Sequence, residues 1–241
     1  MLYFDKIYYV NLDCDTKKNV FFIQQINKTI FKDKCERFVG VDGKTIDINT
    51  IDDSIITNDG RKSITSQKQK IYGVSLTYGS LGCALSHKKI WEECSQAKNP
   101  YLIFEDDIIP HKNFNNIFNK LYTILPNLSY DIFYIGYNEI PGFRKVTIDD
   151  VIAKPSGLIT GTYGYIVTPS GAQKLLSVFP LNKQIDSSIS ANLNKFKVYC
   201  SNTKLVSASS SFGSKTQRSD SCKNNIQCVA YDNWNNLFKT V

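Results

Sequence analysis

The stretch 101–110 reads Y-L-I-F-E-D-D-I-I-P, from Tyr101 to Pro110. Tyr101, Leu102, Ile103 and Phe104 form an unbroken run of bulky apolar side chains. A run that short suits a strand covered on both faces, as in a parallel sheet. Glu105, Asp106 and Asp107 follow at once. Three carboxylates are costly to desolvate together inside a core, so the strand is expected to end there and present them at a sheet edge. In open α/β sheets the carboxyl edge is where ligands bind. Clustered oxygen donors suit a hard divalent ion, Mg²⁺ or Mn²⁺, and such an ion suits a phosphate-bearing substrate. Taken alone, the acids fit a solvated turn equally well, because acidic turns are common.

On the amino-terminal side, Lys6–Leu12 is rich in β-branched and aromatic residues and reads as a strand. Asp15 or Thr16 is placed to cap a helix whose apolar face would carry Val20, Phe21, Ile23, Ile26 and Ile30. Arg37–Val41 is a second strand, ended by the turn pair Asp42-Gly43. Strand, helix, strand is a βαβ unit, normally a right-handed crossover between parallel strands. Residues 44–75 show no sustained period and read as a long excursion or flap. A helix then begins near Leu76, with Ser80 as its cap and a stripe of Leu81, Ala84, Leu85, Trp91 and Cys94. It runs to about Ala97, and Asn99-Pro100 leads into the acidic strand.

Beyond Pro110, Phe114, Ile117, Phe118, Leu121 and Leu125 repeat at helical spacing until Pro126. Tyr130–Tyr137 and Tyr163–Val167 read as strands, with 138–160 irregular between them. Thr168-Pro169 opens a helix that runs through Ala172 and Leu175 toward Pro180. Phe196–Cys200 and Lys204–Ala208 are late strands, and from Ser209 the chain becomes polar. The expectation is one α/β domain over 1–208, Rossmann-like with a mostly parallel sheet. Residues 209–241 would form a tail or an active-site cover.

The 241 residues, 42% of them hydrophobic and 12% aromatic, are enough for one packed domain. The net charge of +7 arises from 29 Lys and Arg mixed with 22 acids. There is no run of about five like charges, so no nucleic-acid partner is expected. Seven cysteines, an odd number without a C-x-x-C pair, imply free thiols, with Cys83 and Cys94 as small core residues. No stretch approaches about 18 consecutive apolar residues. The first ten residues carry no basic, cleavable leader. These features favour a cytoplasmic chain without a transmembrane segment; oligomeric state is not readable.

Four separated segments together resemble glycosyltransferase family 25, which holds bacterial lipooligosaccharide glycosyltransferases and collagen galactosyltransferases. They are Y-V-N-L-D at 9–13 with V-G-V-D-G at 39–43, L-T-Y-G-S-L-G-C-A-L-S-H at 76–87, L-I-F-E-D-D at 102–107, and G-T-Y-G-Y-I-V-T-P-S-G-A at 161–172. They stand in the family's order. The resemblance implies a GT-A fold that binds a nucleotide sugar, usually with Mn²⁺, and an inverting transfer. Two departures stand out. Where the family usually has arginines after the first strand, this chain has Cys14-Asp-Thr-Lys-Lys18; where it often has an acid before Leu-Gly-Cys, this chain has Ser80.

The resemblance makes Glu105-Asp106-Asp107 the metal-binding acidic motif, with Glu105 and Asp107 as ligands and Asp106 toward the ribose. Asp186 is the candidate base that deprotonates the acceptor hydroxyl; helix capping is its other reading. His87, with Ser86, would lie near the donor, although a histidine on a half-buried helix face is also an ordinary core residue. Asn11, Asp42 and Gly43 end the first two strands, where a GT-A fold receives the base and ribose; turn chemistry explains them equally. Gly161 would allow close backbone approach to the donor or serve a purely structural turn. Asp220 would close over the diphosphate from the tail.

The expected function is therefore transfer of a hexose from a nucleotide sugar, UDP-linked, to a hydroxyl of a glycan, glycolipid or collagen-like peptide, assisted by Mn²⁺ or Mg²⁺. The alternatives are a degenerate nucleotide-sugar-binding module and a sugar-phosphate nucleotidyltransferase. The second normally needs a glycine-rich basic loop after the first strand, and N-L-D-C-D-T-K-K is not one.

Overall fold

The apolar run at 101–104 is a buried strand near the middle of an eight-stranded sheet. A computed structural model describes residues 3–66, 70–71, 73–212 and the backbone of 228–229. In chain order the elements begin β1 (Lys6–Asn11), α1 (Thr16–Ile26) and β2 (Glu36–Val39), then α2 (Asn58–Thr65), β3 (Lys70–Ile71) and α3 (Tyr78–Cys94). Next come β4 (Tyr101–Glu105), β5 (Ile108–Pro110), α4 (Phe114–Ile124), β6 (Ile132–Asn138), β7 (Lys145–Thr147), β8 (Ile152–Pro155) and β9 (Thr160–Val167). The described chain closes with α5 (Pro169–Leu175), α6 (Ile185–Ala191), β10 (Val198–Ser201), β11 (Val206–Ala208) and β12 (Cys228–Val229).

The sheet runs β2-β1-β4-β9-β6-β10-β8-β7. β1 is parallel to β2 and β4, and β6 is parallel to β10, as a Rossmann-like α/β fold requires. The sheet is nevertheless mixed. β9 runs antiparallel between β4 and β6, so that Ile166 faces Leu102 on one side and Phe133 on the other. Two-stranded ladders β5–β11 and β3–β12 lie outside it. No described helix is long and apolar enough to cross a membrane.

Strand alternation sorts side chains into two apolar layers. Tyr8, Tyr101, Ile103 and Tyr165 pack against α3, α5 and α6, with Trp91, Leu81, Leu175 and Ile189. Ile7, Tyr9, Leu102 and Phe104 pack on the other face against α1 and α4, with Phe22, Ile26, Phe114 and Phe118. Stacking of Tyr9 on Phe22, with ring centroids 4.1 Å apart, fixes α1 to that face.

Several local expectations need correction. The buried residues of α1 are Lys18, Phe22 and Ile26, whereas Val20 and Ile23 face outward at 56% and 39% exposure. Helix α3 is capped by Thr77, not Ser80: Thr77 Oγ1 accepts from Ser80 N at 3.0 Å, and Ser80 Oγ accepts from Thr77 N at 2.8 Å. This reciprocal box satisfies two otherwise orphaned donors. The excursion after β2 is packed rather than loose. Ile46, Ile48, Ile56 and Ile64 enter the α3 layer, and α2 is capped by Thr57, whose Oγ1 accepts from Gly60 N at 3.0 Å. Residues 138–160 are not wholly irregular, because β7 and β8 form a hairpin that completes the sheet edge. The cap at Thr168, followed by Pro169 in the first turn, is as expected.

Candidate active site at the carboxyl edge of the sheet

The alternation that builds the two layers also divides the acidic triplet. Tyr101, Ile103 and Glu105 share the face toward α3; Leu102, Phe104 and Asp106 share the face toward α1. Past β4 the chain turns, and Asp107 joins Asp106 on the α1 side. Glu105 and Asp107, the ligand pair expected from the sequence, thus bond to different layers, Glu105 to Thr162 and Asp107 to Lys18.

On the α1 side, Lys18 Nζ donates to Asp106 Oδ1 at 3.0 Å and to Asp107 Oδ2 at 2.8 Å. Asn11 Nδ2 donates to Asp106 Oδ2 at 2.7 Å, and Arg37 Nε donates to Asn11 Oδ1 at 2.9 Å. Asn11 thus aligns an aspartate and is itself aligned by Arg37. Lys18 is the site residue that sequence reasoning missed. It lies in the segment where the resemblance registers a departure, and it supplies a cation there.

On the α3 side, Glu105 accepts from Thr162 Oγ1 at 2.7 Å, and His87 Nε2 lies 3.8 Å from its Oε1. His87 is fully buried, and its Nδ1 is engaged by the Tyr165 hydroxyl at 2.9 Å. Trp91 Nε1 donates to the same hydroxyl at 2.8 Å. His87 Nε2 and Asp107 Oδ1 are buried with no hydrogen-bond partner. Cys83 lies one helical turn before His87. It is half-buried, packing against the α3-layer core as expected while also lining the cavity described below. Its Sγ, a His87 ring nitrogen and a Glu105 oxygen all lie within 4.8 Å of one another.

One ammonium pairs with two of the three carboxylates, and the ionisation equilibria reflect it. Burial opposes the charge on Lys18, but Asp107 and Asp106 outweigh it and hold the ammonium protonated. Burial pushes Asp107 up to about 6, with the charges of Glu105 and Asp106 adding to it against Lys18. Burial likewise raises Asp106, partly opposed by Lys18 and Asn11. Glu105 is pushed up by burial too, yet His87 and Thr162 bring it below the usual carboxylate range. Burial carries the Cys83 thiol well above its ordinary value, and the charges of Glu105 and Asp186 add to that.

Asp186 sits in the first turn of α6, whose N-cap is Gln184, so the capping reading does not hold. Its Oδ1 accepts from Ser187 N at 2.7 Å and its Oδ2 from Gly161 N at 3.2 Å. Burial pushes its carboxyl up to about 6 against these two donors, and the charge of Glu105 acts in the same direction. Gly161 has φ +96°, a conformation L side chains rarely adopt, so its role here is to aim a backbone N–H at Asp186.

A cavity of about 360 Å³ opens where β1, β2 and β4 end, within the range of small-molecule sites. Asn11, Lys18, Asp42, Gly43, Lys44, Cys83, Ser86, His87, Glu105 and Asp106 line it. A larger hollow of about 750 Å³ lies over Asp53, Arg61 and Lys62 in the excursion, but it touches none of the acidic triplet. Several lining residues also hold the wall in place. Asp42 Oδ1 accepts from Lys44 N at 2.9 Å, and Ser86 Oγ accepts from Val41 N at 2.8 Å while donating to Gly82 O at 2.8 Å. A Cβ on Gly43 would lie 1.9 Å from the Tyr78 carbonyl oxygen, so only glycine fits against the start of α3. Asp220 lies outside the described residues.

The model of glycosyltransferase family 25 (LPS biosynthesis protein) matches residues 4–189. The chain belongs to glycosyltransferase family 25. Within that family it is similar to procollagen galactosyltransferase 1-B of Xenopus laevis, with 26% identity over 201 residues, covering 76% of this chain and 30% of the relative. It is also similar to the inactive glycosyltransferase 25 family member 3 of Mus musculus, with 29% identity over 147 residues, covering 58% of this chain and 24% of the relative. A glycosyltransferase 25 family member of Anopheles gambiae is 28% identical over 185 residues, covering 73% of this chain and 29% of the relative. The chain thus spans less than a third of the length of these curated relatives.

Proposed function

We propose that this family 25 chain is an inverting glycosyltransferase that moves a hexose from a UDP-linked donor to a hydroxyl of a glycan, glycolipid or hydroxylated peptide. The observation that carries the reading is Asp186. It is a carboxylate anchored by two backbone N–H groups, and the charge of Glu105, a cavity-wall residue, helps to hold its carboxyl up. A base must be ionised near neutral pH yet basic enough to take a proton, and a carboxyl at about 6 meets both needs. In the proposed step Asp186 accepts the proton of the acceptor hydroxyl. The oxygen bonds to the anomeric carbon on the face opposite the diphosphate. The bond to the diphosphate breaks, and its electrons leave with UDP.

The leaving diphosphate is anionic, and the cavity edge carries Glu105, Asp106 and Asp107 against Lys18, an excess of negative charge. That imbalance supports a divalent cation in the reading. A cation shared by Glu105 and Asp107 would have to displace Lys18, which already engages Asp107, while Glu105 accepts from Thr162 on the other layer. Glu105 is the member of the triplet that shares a wall with His87, whose Nε2 has no hydrogen-bond partner. A cation bound there would offset charge on the departing phosphates. Asn11, Asp42 and Gly43 form the wall on which the nucleoside is proposed to lie.

The second reading, a nucleotide-sugar-binding module without turnover, is favoured by the relatives whose names call them inactive. One experiment separates the two. The purified protein is incubated with a panel of nucleotide sugars and Mn²⁺, Mg²⁺ or Zn²⁺, and released nucleoside diphosphate is measured, with Asp186→Asn as control. Slow release from one donor, lost with chelator and in the variant, is the expected result. Donor binding without release in the presence of an acceptor panel supports the binding module. Absence of both release and calorimetric binding for every nucleotide sugar overturns the proposal.

A further inference from the structure

We propose that Cys83, His87 and Glu105 form a site for a borderline-soft divalent metal, Zn²⁺ or its spectroscopic analogue Co²⁺, opening onto the cavity at the carboxyl edge. Two elements build it. Cys83 and His87 stand at i and i+4 on α3 and so share one face. Glu105 ends β4 on the layer turned toward that face. Among the described residues this is the one set of three Cys, His or acidic side chains whose donor atoms converge, all within 4.8 Å of one another.

Three independent observations point to a cation. First, His87 Nε2 is fully buried, has no hydrogen-bond partner and points toward Glu105 Oε1, 3.8 Å away. Tetrahedral zinc with N and O bonds of about 2.0–2.2 Å sets those two donors about 3.3–3.5 Å apart, so this pair needs to close by only a few tenths of an ångström. Second, the ring is held from behind. Nδ1 meets the Tyr165 hydroxyl at 2.9 Å, the kind of outer partner that fixes the orientation of a metal-bound imidazole. Third, charge is unbalanced. Lys18 is committed to Asp106 and Asp107, whereas Glu105 has only the Thr162 hydroxyl and the His87 ring beside it and no Lys or Arg paired to it among the described residues.

The donor set decides the metal. Thiolate and imidazole with one carboxylate favour Zn²⁺ over the hard ions Mg²⁺ and Mn²⁺. Three protein ligands leave the fourth position of a tetrahedral ion to the cavity side, as in catalytic zinc sites. If the cavity receives a nucleotide sugar, as proposed above, that position is where a phosphate oxygen would bind. This last clause alone rests on the transferase reading.

The test uses Co²⁺ and the chelator-stripped full chain, with no nucleotide or acceptor present. A thiolate-to-cobalt charge-transfer band in the near ultraviolet, saturating at one ion per chain, is expected. Cys83→Ser should abolish the band and weaken binding by at least about 10–100-fold, the loss typical for removing support from a metal site. Glu105→Gln should weaken binding and keep the band, and Asp107→Asn should change neither. Circular dichroism checks that the variants fold. Should Cys83→Ser fail to fold, protection of Cys83 from alkylation by Zn²⁺ in the unmodified chain, read by mass spectrometry, takes its place. No thiolate band, a band surviving in Cys83→Ser, no protection, or binding lost in Asp107→Asn instead would each overturn the site. Because no donor is present, such a failure leaves the transferase reading standing. Failure of every nucleotide sugar to bind would in turn leave the cobalt result intact.

Discussion

Lys18 balances two buried aspartates alone, so removing it leaves both uncompensated. Lys18→Met should destabilise the fold by about 3–5 kcal/mol, the usual result of breaking a buried pair from one side. Adding Asp107→Asn should recover part of that loss, because the two sites are in contact and their effects are not additive. Urea unfolding of the single and double variants measures both quantities. Asp186 makes a prediction about pH. Its carboxyl is raised to about 6, and the base form is the ionised one. Activity should therefore hold above pH 6 and fall about tenfold per unit below it, where protonation removes the base. Asp186→Asn should lower kcat by about 10²–10⁴-fold. A rate flat through pH 5 would remove Asp186 from that role. At this scale the sequence was partly legible. Glu105, Asp106, Asp107 and Asn11 could be named because their neighbours in the chain mark strand ends, and Asp186 from the family resemblance and the proline-ended helix before it. Lys18 could not, because helical periodicity selects apolar residues and its partners lie across the sheet. Cys83 read as a core thiol, which it partly is; that it also lines the cavity depends on how α3 lies over β4.

Among the elements, β9 does most to position the chemistry. Running antiparallel between β4 and β6, it brings Thr162 to Glu105, Tyr165 to His87 and Gly161 to Asp186. Gly161→Ala should cost about 1–3 kcal/mol, since its φ of +96° suits only glycine. A built Cβ would also approach the Tyr163 ring to 2.7 Å. The functional prediction is a fall in kcat with donor KM nearly unchanged, because the N–H that steadies Asp186 is displaced while the cavity wall at β1 and β2 is not. Steady-state kinetics with the donor varied provides the check. Helices α3 and α4 were readable from their helical repeats and the prolines beyond them, and α5 from Thr168-Pro169 at its start. The β7–β8 hairpin was not, because its strands of three and four residues are too short for alternation to register. The isoleucines at 46, 48, 56 and 64 were visible as apolar residues, but each fills a separate gap under α3 and no period links them.

Over the whole molecule, the net charge of +7 is dispersed, while the cavity edge is locally acidic. On the proposed reading, a nucleoside diphosphate approaching that edge would be repelled until a cation intervenes. UDP and a divalent metal should therefore raise the melting temperature together by more than the sum of their separate effects. At ligand concentrations of about 100 times Kd the gain is about 2.7 kcal/mol. For a chain of this size that is a shift of about 5–11 °C. Differential scanning fluorimetry with UDP, metal and both would read it, and additive shifts would count against a shared site.

The packed excursion after β2 also sets terms for anyone who would retarget this scaffold by transplanting that segment from a relative. Leu181 N donates to Ile55 O and Thr57 N donates to Leu181 O, while Gly60 lies so close that any Cβ there would meet the same carbonyl at 2.4 Å. The segment and residue 181 are thus a single graftable unit separated by more than a hundred positions in the chain. A chimera that exchanges one without the other would inherit a hole or a collision under α3 before its specificity could be assayed.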